Sequence, residues 1–179
     1  MKIVLFDENS LKATAAYWVE SAVKDGLDDE LLELNEQFFE YIQTSKSYGN
    51  YLDRSSLNTH IGICDDSSIA NIIVEVGYHR RGREKTIKIM DIYISPELDS
   101  SVKSDYHSKY AEYLIFAVQT FLHQTDGSGS ATKIYARTDQ SQAFLEHMHA
   151  TAKQLQADFE KVGLSVEFEG KRWLAFRRH

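Results

Sequence analysis

The chain has 179 residues, 42% hydrophobic and 12% aromatic, with one proline and nine glycines; this suits one folded domain over residues 1–179 and excludes disordered and fibrous classes. Twenty Lys and Arg against 27 Asp and Glu leave a net charge of −7, which opposes binding to nucleic acid or to an anionic membrane. A single cysteine, Cys64, permits no internal disulfide, and the apolar run Ile3–Phe6 is too short for a leader or a membrane span, so a soluble cytoplasmic protein is expected.

Residues 2–6 predict a short strand. Asn9 or Ser10 is placed to cap a helix with Leu11, Ala15, Trp18, Val19 and Ala22 on one face, ended by Gly26. Asp28 or Asp29 opens a second helix whose acidic first turn complements the helix dipole. Its apolar side is Leu31, Leu34, Phe38, Tyr41 and Ile42. Residues 44–58 read as a polar, tyrosine-bearing loop. Strands follow at 60–64, 69–79 and 86–95, joined by the polar turns 65–68 and 80–85, which is the pattern of an antiparallel meander. Pro96 stops the last of these. Residues 97–109 read as a glycine-free loop, and Tyr106–Gln124 as a helix apolar enough to be buried on more than one side. The connector 126–130 leads to a strand at 131–138. Asp139 and Gln142, at capping-box spacing, open a long helix that runs to Val162 and stops at Gly163. Residues 164–169 and 172–178 close the chain as a hairpin turned at Glu169–Gly170. The order β-α-α-β-β-β-α-β-α-β-β implies an α/β layered sheet.

Two carboxylates stand out because they interrupt apolar strands. Asp91 lies within IKIMDIYI, in alternation with Ile87, Ile89 and Tyr93, and Glu75 lies within IIVEVGY. Either is a candidate proton acceptor; a structural ion pair, for Asp91 with Arg137, is the competing use. The seven histidines show no metal-ligand spacing, since His147 and His149 point to different helix faces. Cys64 reads as a small buried strand residue, and 79–85 as a solvated hairpin turn. Tyr41, Tyr48 and Tyr51, beside Phe38 and Phe39, suit core packing better than a pocket wall.

Three stretches together resemble the GNAT superfamily, the acyl-CoA-dependent N-acyltransferases. IKIMDIYISPEL is similar to the family's fourth strand, KIYARTDQSQAFLEHM to its fifth strand and following helix cap, and FEKVGL (159–164) to the end of that helix. The resemblance implies a GNAT-like fold, a mixed and mostly antiparallel sheet flanked by helices, with acetyl-CoA as cofactor. It also implies a fourth strand that splays from the fifth, so that Ile92, Tyr93 and Ile94 offer backbone contacts to the pantetheine arm. The family's pyrophosphate loop, Arg/Gln-x-x-Gly-x-Gly/Ala, has its closest fit in Lys103-x-x-Tyr106-x-Ser108, which lacks the glycines that let backbone N–H groups approach a phosphate. The family's thiolate-protonating tyrosine falls on Leu145 in one register and on Phe159 in the other. The interval between them corresponds to about four extra helical turns.

Two functions stay open on these residues. One is an atypical acyl-CoA-dependent N-acyltransferase, transferring an acyl group, with acetyl expected, to a small-molecule or peptide amine through Asp91 or Glu75. The other is a GNAT-like scaffold that has lost coenzyme A binding and serves as a ligand- or protein-binding module. Neither expects nucleic acid, membrane or metal, and either allows a homodimer.

Overall fold

Among the described residues, seven strands make one sheet: β1 (Lys2–Val4), β2 (Asn58–Cys64), β3 (Ile72–Arg81), β4 (Glu84–Ile94), β5 (Ala131–Tyr135), β6 (Leu164–Glu169) and β7 (Trp173–Arg178), in the spatial order β1-β2-β3-β4-β5-β7-β6. All neighbours are antiparallel except β4 and β5. The computed structural model describes residues 1–54, 57–99, 106–125 and 129–179, with only the backbone of 106–108. This is the α/β layered sheet expected from the element order, with the mixed, mostly antiparallel pairing that the resemblance implies.

Helices cover both faces. α1 (Glu8–Lys24) and α2 (Asp29–Ser45) pack on one. α4 (Tyr106–Gln124) and α5 (Asp139–Gln154) pack on the other. Strand alternation feeds both layers. Ile61, Ile63, Ile72, Val74, Ile87 and Ile89 bury against Tyr113, Leu114, Ala117 and Phe121 of α4. Ile73 and Ala70 bury against Trp18 of α1 and Phe39 and Ile42 of α2. Trp18 is held in place by its indole N–H, which donates to the Ala70 carbonyl at 2.7 Å.

Several boundaries differ from those expected. Asp7, rather than Asn9 or Ser10, caps α1, and Ser10 completes a capping box from the third helical position. Thr138 and Ser141 do the same for α5 in place of Asp139 and Gln142. Pro96 opens a single turn, α3 (Pro96–Asp99), where its missing N–H goes unneeded, so the segment after β4 is not loop throughout. The helix after β5 breaks at Leu155 (φ −101°, ψ 14°) and resumes as α6 (Gln156–Lys161). The buried stripe of α2 is also rotated: Phe39 and Ile42 are buried, while Leu31, Leu34 and Tyr41 face solvent.

Candidate functional site

The site begins with a defect in β4. Opposite β3, Glu75 pairs with Asp91 but Val76 pairs with Ile89, so Met90 is an extra residue in the ladder, a β-bulge. The bulge resets the alternation. Ile87 and Ile89 face α4; beyond Met90, Ile92 returns to the α4 side and Asp91 and Tyr93 turn toward α1 and α2. Asp91 thus shares a face with Tyr93, as expected, but not with Ile87 and Ile89. An unbroken alternation cannot disclose the inserted residue.

Past the bulge, β4 and β5 part. Their parallel pairing covers only Thr86–Ile89 with Ala131–Ile134, although β4 continues to Ile94. Ile92, Tyr93 and Ile94 therefore lie beyond that pairing, where the resemblance implies backbone contacts. The Ile92 N–H is already in use: it donates to Asp91 Oδ1 at 3.0 Å. Asp91 Oδ2 accepts from Arg137, which follows β5, so an ion pair bridges the diverging ends. The pairing of Asp91 with Arg137 is as anticipated. Its carboxylate is largely covered (18% exposed) and the guanidinium mostly open (64%).

Register lines up a second group. His60 on β2 faces Glu75 on β3, which faces Asp91 on β4, at the roughly 5 Å spacing of cross-strand neighbours. Glu75 Oε1 accepts from Asn58 Nδ2 at 2.6 Å. His60 is buried, with its ring 5.8 Å from Phe38, 6.2 Å from Tyr41 and 6.0 Å from Tyr93, measured between centroids. Its Nδ1 lies 3.1 Å from the Ser47 carbonyl, which can only accept, and 3.0 Å from the Ser47 hydroxyl, which can donate or accept. Burial pushes this imidazole below its ordinary value, against the opposing pull of the Ser47 carbonyl, Glu75 and Asp91. Burial, with the Asp91 and Glu75 charges, drives the Tyr93 phenol well above its ordinary value. His60 shows no ligand spacing in the sequence; only the register of three strands reveals its company.

On the α4 side the divergence opens into a cavity of about 1170 Å³ between α4 and α5–α6. Asp91, Ile92, Ile94 and Arg137 line one end. Of the two positions aligned with the family's tyrosine, Leu145 is buried in the core and Phe159 lines the cavity, so neither supplies a hydroxyl. Tyr110 and Tyr135 are phenols that do line it. Lys103 and the side chains of Tyr106 and Ser108, the candidate pyrophosphate contacts, lie outside the described residues.

No family model matches the chain, and no curated protein sequence does. Among solved structures, it is similar to the crystal structure of a probable acetyltransferase at 14% identity and a TM-score of 0.44, covering 83% of this chain and 88% of that one. It is also similar to the PaiA N-acetyltransferase from Thermoplasma acidophilum, in complex with coenzyme A, at 14% identity and 0.42, covering 99% and 98%.

Proposed function

We propose that the protein is an acyltransferase that moves an acyl group from a thioester to an amine. The observation that carries this reading is the divergence of β4 from β5 at the Met90 bulge, which frees a strand edge beside two carboxylates and opens it onto a large cavity. That edge is polar backbone facing a ligand-sized space, suited to the amide-bearing arm of an acyl carrier such as coenzyme A. Coenzyme A, when bound, would supply the thioester and its thiolate leaving group. Ile92, Tyr93 and Ile94 would hold the arm.

The residues around Asp91 divide the remaining work. Glu75 and Asp91 attract an ammonium acceptor toward the divergence, with the Tyr93 and Phe38 rings, 4.1 Å apart, as an adjoining wall. The acceptor must lose a proton before it attacks, and the neutral His60 imidazole or the carboxylates take it, directly or through water. A cavity phenol, Tyr110 or Tyr135, returns a proton to the departing sulfur.

A second reading is favoured by one observation. Among the described lining residues, Arg137 is the sole Lys or Arg, and Asp91 already engages it. A scaffold that binds an uncharged ligand without coenzyme A fits such walls. Isothermal titration with acetyl-CoA, controlled with dephospho-CoA, separates the two. Saturable binding that weakens without the 3′-phosphate supports acyl transfer and leads to an amine screen. No heat and an unchanged melting temperature at millimolar ligand remove it.

A further inference from the structure

The cavity changes character along its length. α4 and α5 both start where β4 and β5 end and run in the same direction, with Tyr110 against Phe144 (4.8 Å) joining their second turns. At this end the walls are polar, with Asp91, Arg137, Thr138 and Gln140. Farther along they are mostly apolar, with Val118, Leu122, Met148, Leu155, Phe159 and Leu164, interrupted by Gln119, His147 and Thr151. The lining run of α4 from Tyr110 to Leu122 spans roughly 18 Å at the helical rise. Two large aliphatic side chains on the two helices, Ile115 at 46% and Leu155 at 49% exposure, line this space and remain open to water. The break at Leu155 angles α6 so that Phe159 joins the same wall.

We propose that this groove holds the unbranched aliphatic chain of an acyl group, with its carbonyl end at the Asp91–Arg137 mouth. The shape is long, one end is polar and the rest is mostly apolar, which approaches the polarity profile of a fatty acyl chain. The volume exceeds the roughly 300–1,000 Å³ of ordinary small-molecule pockets. At the mouth the Arg137 charge is matched by Asp91, so a polar carbonyl head fits better than a polyanionic one. Within the acyl-transfer reading this makes the donor a long-chain acyl thioester; with a free acid as ligand the inference stands without that reading.

The test is displacement of a fluorescent fatty-acid analogue by straight-chain acids from hexanoate to hexadecanoate, each below its micelle concentration, beside acetyl-CoA and hexadecanoyl-CoA. Affinity should rise about fourfold per added methylene until the groove is filled, then level off. Leu155→Asp places a charge on a half-exposed position, so the fold tolerates it; long-chain affinity should fall tenfold or more and hexanoate binding should stay unchanged. Ile115→Asp, on the facing helix, repeats the test should that variant misfold. Affinity that ignores chain length, or long-chain binding untouched by both substitutions in folded protein, overturns the proposal. Length-dependent binding of free acids with no binding of either coenzyme A ester keeps the groove and removes acyl transfer. Acetyl-CoA binding that gains nothing from a longer chain, with no binding of free acids, does the reverse.

Discussion

Asp91 holds together two halves of the site: one oxygen fixes its own strand through the Ile92 N–H, and the other reaches Arg137 beyond β5. Because the guanidinium is mostly exposed, Asp91→Asn should cost less than about 1 kcal/mol of stability, read from urea unfolding. Turnover with an amine acceptor should fall by roughly 100-fold or more if the carboxylate takes part in proton transfer. A loss of stability without a loss of rate would make the pair purely structural. His60 gives a pH signature. Its imidazole is held below 6.5 by burial, so as pH falls below 6.5 the unfolded chain binds a proton that the folded one resists. Stability is then lost toward acid, and His60→Gln should flatten that slope in melting temperatures. Gly62 tests packing instead. A Cβ there would stand 2.7 Å from the Ala70 Cβ and 2.8 Å from the Phe6 ring, and Gly62→Ala should destabilise by about 1–3 kcal/mol.

The Met90 bulge is the element on which the site depends. Deleting Met90 would restore a regular ladder without moving Asp91 to the other face, since Asp91 would then directly follow Ile89. The fold should survive by circular dichroism. The straightened strand should pair with β5 beyond Ile89, and ligand affinity at the divergence should drop at least tenfold. Retained affinity would show that the bulge is incidental. Much of the element layout was legible beforehand: both long helix–strand alternations, the meander and the terminal hairpin follow from period and turn chemistry. The failures share a cause. The stripe of α2 is rotated by one position because Trp18, 5.3 Å from Phe39, decides which residues are covered, and that is a contact between helices. The bulge, the His60–Glu75–Asp91 alignment and the break at Leu155 likewise depend on partners distant in sequence. Asp91 and Glu75 could be singled out because charge within an apolar strand is visible locally, whereas His60 could not.

At the scale of the molecule, buried phenols and net charge set the response to solution conditions. Tyr51, Tyr93 and Tyr113 are driven well above 10.0, by burial first. Above pH 10 the unfolded phenols ionise while the folded ones resist, so stability should decline with rising pH, with a Tyr51→Phe variant declining less steeply. Tyr51 donates to Gln124 as it packs 5.6 Å from the Phe121 ring, tying the segment before β2 to the far end of α4. The parallel contact of β4 with β5 has a further consequence. It divides the sheet into two antiparallel parts, β1–β4 and β5–β7–β6, stitched by four residue pairs. Such a seam is a natural boundary between cooperative units, so amide exchange should separate residues 1–94 from 131–178 into two populations. An occupant of the cleft, touching β4 on one side and β5 and α5 on the other, would merge them into one.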